Sequence, residues 1–267
     1  FIPAGIYKSG TIVLKDNVGL YLDNGAVLYA STDHRDFPRQ RQPRYQSQKD
    51  PGGWFALIYA EGAVHIGISG KGTIDGQGAL QYPQKDLLGG DLDGRPRNIL
   101  FVSCRNISVD GITLLNSGMW NQHYLDCEDV LIHDIRVYNH SNKNNDGIDI
   151  DGCRRLVLSS SIIDSDDDGI VLKSTGPAGC EDISISDCIV SSYTNAIKCG
   201  TESTGGFKNI LISNCVVKPT RSAAESKFGL PRTGITGISL EIVDGGIMDG
   251  VNVNNIVMEG TQCPIYV

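Results

Sequence analysis

The sequence predicts an all-β protein wound as a right-handed parallel β-helix, a solenoid, and three observations carry that prediction. The first is a repeat. The segments Cys104-R-N-I-S-V-D-G-I-T-L, Cys127-E-D-V-L-I-H-D-I-R-V, Cys153-R-R-L-V-L-S-S-S-I-I, Cys180-E-D-I-S-I-S-D-C-I-V, Phe207-K-N-I-L-I-S-N-C-V-V and Met248-D-G-V-N-V-N-N-I-V-M start 23, 26, 27, 27 and 41 residues apart. Each holds two alternating apolar stretches around a polar bend, a strand pattern recurring at a solenoid period. The second is composition: 32 glycines and 7% aromatics, with many Asn, Ser, Ile and Val, favour short strands joined by turns. The third is register among cysteines, with Cys104, Cys127, Cys153 and Cys180 in one column and Cys188 and Cys215 in another. One such turn cannot bury its apolar side alone, whereas stacked turns enclose a continuous interior.

Taken in order, residues 1–31 read as the first turns. Residues 32–53 break into a polar loop with Arg35, Arg39, Arg41 and Arg44 beside Pro38 and Pro43, either a solvated loop or a basic wall that grips an acidic polymer. The coil resumes with G-K-G-T-I-D-G-Q-G at 70–78, and a second loop follows to Gly94. The repeats then run on, the long last interval being one turn plus an insertion at 218–234. Without a C-x-x-C pair to suggest a metal site, the cysteines are expected to be unpaired apolar fillers, a disulfide between turns being the alternative. Both ends read as strand interiors, and a solenoid needs capping turns. The expectation is therefore one β-helix domain over residues 1–267, truncated at both ends.

The formal net charge of −8 disfavours a nucleic acid or an anionic membrane as partner. No apolar run reaches the length of a membrane span. The acidic residues are instead concentrated. N-N-D-G-I-D-I at 144–150 is followed by D-D-D-G-I-V-L-K-S at 166–174, with Asp168 falling 22 residues after Asp146. In a solenoid that spacing puts Asp146 and Asp168 on neighbouring turns, about 4.7–4.9 Å apart in backbone terms, with Asp167 alongside. Three carboxylates so placed cannot all ionise freely, and one is expected to hold a proton near neutrality. An acid and a base facing one bond is what glycoside hydrolysis requires. The plain alternative for an Asp-rich turn is a solvated bend or a Ca²⁺ loop. Asp149 alternates away from Ile148 and Ile150 and, with Asp151, is expected to be structural.

These motifs, together with R-P-R-N-I-L-F at 95–101 and N-S-G-M-W-N-Q-H at 116–123, resemble glycoside hydrolase family 28, the polygalacturonase family of right-handed parallel β-helices, in the family's own order. The resemblance implies that Asp167 protonates the leaving oxygen while Asp146 and Asp168 activate water, with inversion at the anomeric carbon. No cofactor and no metal are implied. The expected partner is a polysaccharide or oligosaccharide, in a periplasmic or secreted setting. The alternatives are a polysaccharide lyase using a basic Arg or Lys, or a β-helix that binds glycans without cutting them.

Two positions depart from the family pattern. Asn195 stands where its G-H-G places His, and an amide carries neither proton nor charge. Ser239-L-Glu241 stands where its R-I-K places two cations, which disfavours plain homogalacturonan as substrate. Further expected substrate contacts are Lys198 and Glu202, one turn past Asp168, and Lys173, whose alternative is a salt bridge to a nearby Asp. Trp120 is read either as a stacking platform and His123 as a donor to a sugar hydroxyl, or both as packing. Arg97 is expected to brace its turn.

Overall fold

The structure is a computed structural model and describes residues 1–40, 55–82, 94–227 and 229–267. Arg41, Arg44 and Pro43 of the expected basic wall lie outside the described residues, and Arg35 is paired with Asp33 at 2.6 Å. The strands form a right-handed parallel β-helix of three sheets. Among the described residues sheet 1 has eight strands, including Arg105–Asp110, Arg154–Ser159 and Cys180–Ser186, and sheets 2 and 3 have nine each. The chain visits the sheets in the order 1, 2, 3 on every turn, and neighbouring strands are one turn apart and parallel.

The repeat read from sequence covers sheets 1 and 2; the third strand of each turn comes from the D-G-I segments, as Ile148–Asp151 and Ile170–Ser174. Two places after the Cys104 column, Asn106, Asp129, Arg155, Asp182 and Asn209 all have φ between 53° and 58°. This left-handed geometry suits Asn and Asp, whose short polar side chains bond locally, and it accounts for the N/D preference inside the repeat. The interior is built of stacked aliphatics: Ile107, Val130, Leu156, Ile183 and Ile210 align across sheet 1, each no more than 3% exposed. All eight cysteines are free thiols, and Cys104, Cys127, Cys153 and Cys180 are buried as fillers.

On sheet 1 burial alternates along each strand, whereas on the central strands of sheet 3 both faces are buried. Beside that sheet runs the corner where sheet 2 hands over to sheet 3. The connection from Ala26–Ala30 to Ala56–Glu61, that from Thr73–Asp75 to Arg97–Val102, and the insertion from Val216–Lys218 to Thr236–Leu240 all leave at this corner. The first of these shows that the coil resumes at Ala56, before the G-K-G-T-I-D-G-Q-G segment expected to restart it. A run of mixed apolar residues, A-L-I-Y-A-E, forms a sheet 3 strand buried on both sides and so lacks the alternation that would have marked it.

The insertion is tied back to the body. Asp164 accepts from Thr220 Oγ1 at 2.5 Å and from the Arg221 N–H at 3.1 Å, and its Oδ1 lies 2.8 Å from His140 Nε2. Tyr138 OH meets Ser222 Oγ at 2.8 Å, and the Lys227 N–H donates to both Asp166 oxygens at 3.1 Å.

Candidate active site

Both D-G turns sit at the sheet 2 to sheet 3 corner, on adjacent rungs. The Gly147 N–H donates to Asp168 O at 2.9 Å, and the Gly169 N–H donates to Asn195 O at the same distance. Glycine is required at both points. A Cβ on Gly147 would stand 2.5 Å from Gly169 O, and one on Gly169 would stand 2.5 Å from Ala196 O. The turn of Asp146 is braced from behind: Asn139 Nδ2 donates to Asp146 O at 2.8 Å, and Asn145 Nδ2 donates to Ser117 O and Met119 O at 2.9 Å.

Asp146, Asp167 and Asp168 are thereby brought together, but in three different environments. Asp168 is 4% exposed and receives Thr194 Oγ1 at 2.9 Å, Asn195 Nδ2 at 2.6 Å and Lys198 Nζ at 3.2 Å. Burial works against its charge, yet Lys198 and Lys173, with the Asn195 and Thr194 hydrogen bonds, outweigh it and hold the carboxyl below its usual range. Asp167 is half-buried and pushed up to about 6, first by burial and then by the Asp168 charge beside it. Its Oδ1 accepts from Thr194 Oγ1 at 3.2 Å and from the Asp168 N–H at 3.1 Å. Asp146 is 3% exposed, with its Oδ1 buried and unpartnered among the described residues. Burial, and then the charges of Asp149 and Asp167, raise it well above the ordinary carboxylate range.

The remaining expected residues separate into two groups. Asn195, Lys198 and Glu241 lie on the rungs after Asp168. Asn195 braces Asp168 and accepts from Thr236 Oγ1 at 2.6 Å, so an amide does here what needs no proton transfer. Lys198 stands in register with Ser239, whose hydroxyl donates to Glu241 Oε1 at 2.6 Å. The second group is packed beneath. Lys173, 5% exposed, lies 3.2 Å from Glu202 Oε2 and 3.7 Å from Asp149 Oδ1, so the ion pair weighed for it is present. Its Nζ is also 4.8 Å from the centre of the half-buried Trp120 ring, which Arg97 approaches at 5.0 Å. His123 is fully buried, edge-on to Trp120, with its Nε2 3.2 Å from Asp151 Oδ2. Of the two readings weighed for it, this enclosure fits packing beneath Trp120.

Two contributors escaped the sequence reading, and a third, Asp149, was expected to be structural only. Thr194 donates to both members of the acid pair, a role signalled only by its place one residue before Asn195. Asp166 holds the insertion against the turn of Asp167 and Asp168. Asp149 faces outward as its alternation required, but at the centre of the charged cluster: burial raises its carboxyl while Lys173 and Arg97 oppose that.

The family profile of glycosyl hydrolases family 28 matches residues 39–267. A probable polygalacturonase of Vitis vinifera is 33% identical over 180 residues, covering 65% of this chain and 36% of its own. An endo-polygalacturonase of Pectobacterium carotovorum subsp. carotovorum is 25% identical over 182 residues, covering 64% and 45%. The chain thus spans less than half the length of either relative. In three dimensions, the Yersinia enterocolitica family 28 exopolygalacturonase superposes with a TM-score of 0.77 at 22% identity, covering 100% of this chain and 54% of its own. The Erwinia carotovora polygalacturonase gives 0.74 at 21% identity, covering 98% and 70%. These two likenesses speak for the fold, and the profile match across most of the sequence speaks for descent: the chain belongs to glycosyl hydrolase family 28.

Proposed function

We propose that this protein hydrolyses a glycosidic bond in a pectic or related acidic polysaccharide, or in an oligosaccharide from one, with inversion at the anomeric carbon. The observation that carries the reading is the unequal treatment of two adjacent carboxyls: Asp168 has three donors and stays ionised, while Asp167 is pushed up to about 6. Two carboxyl groups whose environments drive their protonation apart divide into an acid and a base.

In this mechanism Asp167 gives its proton to the departing glycosidic oxygen as the bond to the anomeric carbon breaks. Water attacks that carbon from the opposite side, and its proton passes to the Asp146 and Asp168 carboxylates. Asp146, desolvated and with an unpartnered oxygen, is a strong base whenever it is ionised. Proton count balances: one leaves Asp167, one returns from water.

The lyase alternative needs a neutral amine or guanidine as base. Lys198 is half-buried; burial pulls its ammonium down, but Asp168 raises it above its usual value. The same holds for Lys173 between Asp149 and Glu202. Both therefore stay protonated, which supports hydrolysis. Reducing-end release from a panel of pectic, rhamnogalacturonan and algal polymers tests the reading. New reducing ends without ultraviolet-absorbing unsaturated ends are expected, with loss of turnover in Asp167→Asn; unsaturated products, or no turnover on any polymer, would overturn it.

A further inference from the structure

The ammonium groups on the outer face of sheet 3 past Asp146 are already engaged. Strands Ile148–Asp151, Ile170–Ser174, Asn195–Ser203 and Thr236–Leu240 carry two basic residues, Lys173 and Lys198. Lys173 is bracketed by Glu202 and Asp149, at 3.2 and 3.7 Å, and sealed by Trp120. Lys198 is committed to Asp168 at 3.2 Å. Asn195 spends its amide on Asp168 and Thr236. On the next rung Glu241 is half-buried and accepts a hydrogen bond from the buried Ser239 hydroxyl, and its charge acts on the same Lys198 that Asp168 already holds, so one ammonium faces two carboxylates. An ionised sugar placed there would meet carboxylates with no unengaged counter-charge, and like charges a few ångströms apart repel. A sugar hydroxyl, by contrast, can donate to Glu241.

Building on the glycosidase reading, we propose that the subsite formed by Lys198 and Glu241 beside Asp167 and Asp168, with the buried Ser239 hydroxyl holding Glu241 in place, takes an uncharged glycosyl unit, with Glu241 accepting its hydroxyls. Specificity at this position is exclusion of a carboxylate as much as attraction of a hydroxyl.

A matched pair of ligands isolates charge from shape: an α-1,4-linked galacturonate trisaccharide and the same trisaccharide with its carboxyl groups reduced to hydroxymethyls. Calorimetric titration of the whole chain carrying Asp167→Asn should show the reduced ligand binding at least tenfold more tightly, the gap narrowing as salt rises because the repulsion is screened. Adding Glu241→Lys should reverse the preference, whereas Glu241→Gln should weaken it without reversal. Tighter binding of the uronate, binding of neither ligand, or a ratio insensitive to Glu241→Lys would overturn the subsite. Reducing-end release by the unmutated chain is scored separately. A protein that favours the reduced ligand yet cuts no polymer keeps the subsite and loses the hydrolase reading.

Discussion

Lys198 Nζ lies 3.2 Å from Asp168 Oδ2, one rung along the solenoid from the carboxylate it serves. Removing it by Lys198→Met leaves a nearly buried carboxylate with its two neutral donors only. A hydrogen bond to a charged group is worth about 1.5–3 kcal/mol, so kcat/KM should fall roughly 10- to 150-fold. The carboxyl that Lys198 holds down should also rise, moving the acidic limb of the pH profile to higher pH. An unchanged limb would show that Asp168 does not need its cation.

Asp167 sets the other limb. Its proton is held below about pH 6 and lost above it, so kcat/KM should decline as pH rises through that value. Asp167→Asn should cost roughly 10²- to 10⁴-fold in turnover and remove the alkaline limb from whatever activity remains, as stopped assays across pH 4–8 would show.

How much of this could be seen in advance depends on what kind of signal each part leaves. Strands on sheets 1 and 2 alternate between core and solvent, so their period is written in the residues, and the left-handed Asn and Asp positions recur near the start of the sheet 1 strands. Strand Ala56–Glu61 is covered on both faces and left no such mark. At the site, the carboxylates were legible because their 22-residue spacing equals a turn. Thr194 and Asp166 were not, since a hydroxyl or a third Asp acquires its meaning only from which backbone it meets. His123 stayed open between two readings for the same reason: its place in the sequence says nothing of Trp120 packing edge-on against it.

Docking of the insertion can be tested apart from catalysis. Asp164 accepts from Thr220 and from the Arg221 N–H and lies against His140. Asp164→Ala leaves those groups unsatisfied, at a cost of about 1–3 kcal/mol. Limited proteolysis should then cut within residues 219–235 faster than in the unmutated chain, while the strands on either side persist. Equal cutting rates would mean that Tyr138 and Asp166 suffice to hold the segment.

In the core, Ile185 stacks between Leu158 and Ile212 and is fully buried. Ile185→Ala should destabilise the fold by about 2–5 kcal/mol. Denaturant titration should show this as a lower midpoint at unchanged slope.

Every excursion of the chain that leaves between sheets 2 and 3 emerges on the same edge as Asp146, Asp167 and Asp168. New sequence added at that edge, on any turn, therefore arrives beside those three carboxyls while the spacing between rungs is untouched. The scaffold separates the two tasks of invention: a lineage can remodel what it recognises by lengthening one bend, and the reacting groups never have to move to accommodate the change.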